Sequence, residues 1–175
     1  MVSGMTTALP TSPDQLFAHL EGLGIRTTTV QHPPVFTVEE AKALRGDLPG
    51  AHIKNLFLRN KKGDMWLVVA EESRPIDLKA LGERLGTGRL SFGSPERLMR
   101  YLGVAPGAVT PFALINDREG QVRVAIDRAV LEQDPVNCHP LANDRTTAIA
   151  PQDLLAFIES SGHKPLILDL GNGTA

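Results

Sequence analysis

The spacing of apolar positions along this chain changes period repeatedly, and each change marks an element. Leu16, Phe17 and Leu20 recur at helical spacing behind Ser12-Pro-Asp-Gln15, where Ser12 can cap, Pro13 suits the first helical position and Gln15 completes a capping box. Gly22 and Gly24 end that helix. Arg26-Thr-Thr-Thr-Val30 has β-strand composition, and His32-Pro33-Pro34 forces an extended turn. A second capping box, Thr37-Val-Glu-Glu40, opens a helix that stops near Gly46. Two strands, about residues 52–59 and 65–70, flank Asn60-Lys-Lys-Gly63, which has hairpin composition, and Trp66, Val68 and Val69 are assigned to the core.

Leu78, Leu81 and Leu85 predict a helix from Asp77 to Leu85, and Ser94-Pro-Glu-Arg-Leu-Met-Arg-Tyr-Leu102 predicts another with a serine cap and an N-terminal proline. Strands at about 112–116 and 121–127 flank the turn Asp117-Arg-Glu-Gly120. A short helix near 127–132, strands at Val136–His139 and Thr146–Ile149, a helix from Pro151 to Ile158 and a strand at Pro165–Leu168 complete the order. Hairpins interspersed with helices predict a single α+β domain over residues 11–170, built on a mixed, mostly antiparallel sheet flanked by helices. Residues 1–10 and 171–175 read as a flexible N-terminus and tail.

Composition adds limits. The 175 residues suffice for one core, and no apolar run approaches the roughly 20 residues of a membrane span. The first residues lack a signal peptide's basic and apolar regions, so a cytoplasmic protein without a membrane partner is expected. The single cysteine, Cys138, cannot form an internal disulfide. The net charge of −2 hides an uneven distribution. Residues 54–100 carry ten Lys or Arg against six acids, and residues 101–175 five against nine. The basic stretch could guide a polyanion to one face, or could be ordinary solvated charge.

Two segments carry candidate chemistry. In His52-Ile-Lys-Asn-Leu-Phe-Leu58, strand alternation puts Ile53, Asn55 and Phe57 on one face and Lys54, Leu56 and Leu58 on the other. Lys54 thus shares its face with apolar residues, and either reaches solvent or meets an anion. Gly103-Val-Ala-Pro-Gly-Ala-Val-Thr-Pro-Phe112 is a stiff loop that can serve as a connection or hold backbone N–H groups toward an oxyanion. His139, at the end of a predicted strand, is either a hydrogen-bonded structural group or a polar site residue. Its neighbour Cys138 points to the other face, which argues against a shared thiol site. The chain has no HExxH or CxxC pattern, and neither GxxxxGK[ST] nor GxGxxG, so no metal and no nucleotide cofactor is expected.

The motifs Phe36-Thr-Val-Glu-Glu-Ala41, His52-Ile-Lys-Asn-Leu-Phe-Leu58, Trp66-Leu-Val-Val-Ala70, Leu90-Ser-Phe92, Leu102 to Phe112, Ile115-Asn-Asp117 and His139-Pro-Leu occur in order over nearly the whole chain. In this the sequence resembles the YbaK-like prolyl-tRNA editing family, most closely its freestanding alanyl-tRNA(Pro) deacylase branch (ProXp-ala, PrdX). The resemblance implies the family's prolyl-tRNA synthetase-associated domain fold and metal-independent, cofactor-free hydrolysis of alanine from the 3′ end of tRNA(Pro). The family lysine falls on Lys54, expected at the phosphate of the terminal adenosine. The family's GxxxP loop falls on Gly107-Ala108-Val109-Thr110-Pro111, whose backbone would hold the aminoacyl ester. Asn55 and His139 occupy matching pocket positions, and a ribose hydroxyl of the substrate would assist water attack.

Val30, Phe36 and Leu56 are expected to narrow the pocket against proline. The expected partner is the alanine-bearing acceptor end of tRNA(Pro), bound by a monomer, and the resemblance admits transient contact with prolyl-tRNA synthetase or an elongation factor. The alternatives are a cysteinyl-tRNA(Pro) deacylase of the same family and a noncatalytic tRNA-binding module.

Overall fold

The computed structural model describes residues 10–34, 37, 39–40, 43 and 48–170. The expected flexible ends, the greater part of the helix expected after Thr37, and Phe36 lie outside these residues. Of that helix's cap, the Glu40 N–H donating to Thr37 Oγ1 at 3.0 Å is seen.

Helix α1 spans Pro13–Gly22 and carries the full capping box at Ser12 and Gln15. Strand β1 (Thr27–Gln31) is followed by the β2–β3 hairpin, Ala51–Arg59 and Met65–Glu71. The turn closes through Gly63 N–H to the Asn60 carbonyl at 3.1 Å, with Gly63 at φ +89°, where a side chain would be strained. Helix α2 (Leu78–Leu85), a two-residue strand β4 (Ser91–Phe92) and helix α3 (Pro95–Leu102) lead into the glycine- and proline-rich loop. Strand β5 (Val122–Asp127), helix α4 (Arg128–Leu131), strands β6 (Val136–Cys138) and β7 (Arg145–Ile149), helix α5 (Pro151–Ser160) and strand β8 (Leu166–Leu168) follow.

The strands form one mixed sheet in the order β1-β7-β6-β2-β3-β5-β8, with β4 also paired to β2. Strand β3 is central and buried on both faces from Met65 to Ala70, which is why its sequence runs apolar without alternation. On one face Phe57, Met65, Leu67, Val69, Val122, Val124 and Ile126 pack beneath α1, α3 and α5 in the larger core. On the other, Leu58, Trp66, Val68, Ala70 and Ala125 pack against Leu81 of α2 and Leu90 in a smaller one.

One expectation needs correction and one element is added. The segment expected as a strand at 112–116 is a 3-10 helix, Pro111–Asn116. Pro111 has no N–H for a ladder, Thr110 accepts the Phe112 N–H on Oγ1, and Ala113 N–H turns back to the Thr110 carbonyl, so the chain coils instead of extending. With Phe112, Ala113 and Leu114 all buried, period gave no warning. Strand β4 was not anticipated; two residues carry no periodicity.

Candidate active site

Strand β2 is the axis of the site. Along one edge it pairs with β3 from Ile53 to Arg59. Along the other it pairs with β6 only at Ala51 and His52 and with β4 only at Leu58 and Arg59. Between those contacts, residues 53–57 meet no strand on that edge among the described residues, and Gly93 N–H reaches the Phe57 carbonyl at 2.9 Å.

The alternation expected for β2 holds: Ile53 and Phe57 pack on the larger core, Leu56 and Leu58 on the smaller. Asn55 and Lys54 therefore leave the strand on opposite faces. On the Asn55 face, its Nδ2 donates to the Val109 carbonyl at 3.1 Å, which ties β2 to the loop. That contact orients the amide, since only the NH₂ can face a carbonyl. The Asn55 Oδ1 is left buried without a hydrogen-bond partner. A buried acceptor without a donor costs about 1–3 kcal/mol, so this one is a destabilising feature until something donates to it.

The loop is a rigid object. Gly103 caps α3 at φ +66°, Pro106–Ala108 makes a 3-10 turn closed by Ala108 N–H to the Ala105 carbonyl at 2.9 Å, and Pro111 starts the next one. Thr110 is fully buried and its hydroxyl oxygen is occupied by the Phe112 N–H. Among the described residues no acceptor pairs with the N–H of Gly107 or of Thr110. The loop thus offers backbone polarity and no nucleophile.

On the opposite face, the Lys54 ammonium donates to the backbone carbonyl of Arg74, in the turn after β3. Arg74 Nε in turn meets Asp127 Oδ2 at 3.1 Å at the end of β5. Neither Arg74 nor Asp127 was singled out as a site residue by sequence; an arginine in a turn and an acid at a strand end have no pattern that links them across fifty residues.

His139 follows β6 and donates or accepts at Nδ1 with the Arg145 carbonyl at 2.9 Å; a carbonyl only accepts, so Nδ1 carries the hydrogen. Burial lowers its pKa from the ordinary value of 6.5; the Arg145 carbonyl and Asp144 work against that lowering and the neighbouring His32 adds to it. His32 stands with its ring centroid 6.2 Å away and bonds Thr146 Oγ1 at 2.8 Å. The following Leu141 sits at φ +70°, a conformation leucine rarely adopts. Cys138 points into the larger core, and burial pushes its thiol well above its ordinary range, so it is an inert core residue.

The structure therefore joins Asn55 to the Gly107–Pro111 loop and places Lys54 on the other side of β2. Leu56 turns away from Asn55 into the smaller core because it is one residue further along the strand. Val30 lies on β1, separated from β2 by β7 and β6, and pairs with Thr146 beside His32. Leu56 is thus on the Lys54 face of β2, and Val30 is on the His32 and His139 side of the sheet.

A backbone loop without a nucleophilic side chain, a buried acceptor without a donor and a lysine on the opposite face of the same strand make up the candidate site. The chain belongs to the aminoacyl-tRNA editing domain family, whose profile matches residues 32–157. It is 41% identical over 160 residues to the mouse prolyl-tRNA synthetase associated domain-containing protein 1, covering 89% of this chain and 94% of that protein. It is 37% identical over 149 residues to the prolyl-tRNA editing protein ProX of Acetoanaerobium sticklandii, covering 85% and 91%. A crystal structure proposed to be a trans-editing enzyme for prolyl-tRNA synthetase shares the fold, with a TM-score of 0.68 and 23% identity over 92% of this chain and 98% of that one.

Proposed function

We propose that this protein is a freestanding hydrolase that removes alanine from mischarged tRNA(Pro), acting in the cytoplasm after the synthetase has released its product. The observation that carries this reading is the buried, unpartnered Oδ1 of Asn55 beside the Val109 carbonyl. An aminoacyl ester has an α-ammonium group, and a charged donor is what such an acceptor lacks.

The terminal nucleotide then lies across the open edge of β2. Its aminoacyl group sits on the loop side, with the α-ammonium on Asn55 Oδ1 and the ester carbonyl oxygen toward the N–H groups of Gly107 and Thr110, which have no acceptor among the described residues. Its phosphate lies toward Lys54. Backbone donors held by Pro106 and Pro111 need no reorganisation as negative charge grows on the carbonyl oxygen, which is where such donors are most effective. Water is the nucleophile, because Thr110 and Cys138 are both buried and engaged or protonated; a ribose hydroxyl of the substrate relays its proton to the departing ribose oxygen as the acyl C–O bond breaks, giving free alanine and the tRNA hydroxyl. His139, neutral at pH 7, supplies polarity rather than charge.

A synthetase pocket shaped for proline cannot strongly reject alanine, since the lost apolar contact is worth only about 1–3 kcal/mol, so a second hydrolytic sieve raises accuracy. The test is a panel of Ala-, Cys- and Pro-charged tRNA(Pro) incubated with wild type and Lys54→Ala. Rapid release of alanine alone, lost in a folded Lys54→Ala protein, is expected. Preferred release of cysteine would assign the substrate differently, and no release above background would leave a binding module.

A further inference from the structure

We propose that Arg74 joins Lys54 in a two-cation clamp for the phosphate of the terminal nucleotide, with Asp127 as the positioning residue that aims the arginine. The inference rests on the editing reading for the identity of the phosphate, and on the following geometry for the clamp.

Lys54 is paired with Ala70, and Val69 with Ile126, so Lys54, Ala70 and Asp127 fall on one row across β2, β3 and β5. Alternation puts all three on the smaller-core face. Ala70 has only a methyl group there and is fully buried. Arg74, from the turn after β3, spans the row: its carbonyl accepts from Lys54 and its guanidinium from Nε donates to Asp127. Asp127 is wholly buried and fixed by two further donors, Glu71 N–H at 3.3 Å on Oδ2 and Ala129 N–H at 3.2 Å on Oδ1. The inner edge of the guanidinium is thereby locked.

The outer edge is open. The two terminal nitrogens of Arg74 have no partner among the described residues, and its side chain is 29% exposed. Lys54 has no carboxylate within ion-pair distance among the described residues; it rests on a neutral carbonyl. Glu71, the last residue of β3, folds back to accept the Ser73 N–H at 3.2 Å. Arg74 meets one buried acid through Nε and Lys54 meets only a neutral carbonyl, so among the described residues no carboxylate takes up the arginine's terminal nitrogens or pairs with the lysine. A flat, pre-aimed guanidinium fork beside a compact ammonium matches the oxygens of a phosphate diester.

Uncharged tRNA(Pro), with and without its terminal adenosine nucleotide, is the probe, and its affinity is measured across a salt series alongside deacylation kinetics. Arg74→Lys keeps a cation for Asp127 but removes the fork. Arg74→Ala combined with Asp127→Asn removes both charges, so that no buried carboxylate is stranded. In both variants KM should rise about tenfold with kcat little changed, as for loss of a charged contact made before the chemical step. The salt slope should fall by about 0.7, the value of one single-strand phosphate contact, and the preference for intact over trimmed tRNA should shrink, the remainder being due to Lys54. Folded variants with wild-type KM, slope and preference would overturn the clamp. If wild type itself releases no amino acid, the editing reading fails, while the binding arm still decides whether Arg74 holds a terminal phosphate.

Discussion

Replacing Asn55 by alanine separates the structural from the catalytic content of the site. The substitution removes one hydrogen bond, Nδ2 to the Val109 carbonyl at 3.1 Å, worth about 0.5–1.5 kcal/mol net. It also removes the buried, unpartnered Oδ1, whose stranding costs the resting protein about 1–3 kcal/mol. The two terms have opposite sign, so folding stability should stay within about 2 kcal/mol of wild type. Activity has no such compensation. If Oδ1 accepts the α-ammonium of the aminoacyl ester, losing that charged hydrogen bond costs about 1.5–3 kcal/mol, or roughly 10- to 150-fold in kcat/KM. The assay is single-turnover deacylation of Ala-tRNA(Pro) beside urea unfolding of both proteins. Wild-type kcat/KM in the variant would refute the ammonium contact. A stability loss large enough to account for the missing activity would refute the view that Oδ1 is held unpaired for substrate.

Other consequences follow from titration and packing. Burial alone would raise the pKa of Asp117, but the His163 hydrogen bond at 2.8 Å, the Val122 and Gln121 N–H groups and the charge of His163 outweigh it and lower the pKa below 3.8. Its contribution is complete above about 3.8 and is lost as pH falls through the lowered value, so acid unfolding of wild type should steepen there; Asp117→Asn, measured by urea titration at several pH values, should remove that step. His139, with a pKa lowered from 6.5, is disfavoured as a cation in the folded state, so stability should fall as pH drops below about 6.5, and His139→Gln should flatten that slope in the same titration. Cys138 should resist a thiol reagent in the native protein and react on unfolding, because it is buried and its pKa is raised. Gly50 sits at φ +98°, and a Cβ there would come within 2.0 Å of the Pro135 carbonyl oxygen, so Gly50→Ala should cost about 2–6 kcal/mol of stability in denaturant unfolding.

What could be read from the sequence divides according to the range of the physics. Capping boxes are local, and Ser12 with Gln15 is found as expected. The hairpin at Asn60–Gly63 is equally local, because its turn needs a positive φ and supplies a glycine for it. Strand alternation around Lys54 was legible too, and it already implied that Lys54 and Asn55 diverge. The 3-10 helix at Pro111 was not legible as such, since a buried apolar run has the same composition in a strand or a coil; only the proline hinted against a ladder.

The partners of Lys54 were beyond any local pattern. An ammonium in an apolar row needs an acceptor, and the chain supplies one from twenty residues downstream, in the turn after β3. A larger side chain at position 70, buried on the row between Lys54 and Asp127, is expected to overpack that row and disturb both the Lys54–Arg74 and the Arg74–Asp127 contacts. Ala70 is itself fully buried between them. The lysine that the sequence marks out thus takes its fixed position from an acceptor that no local pattern names.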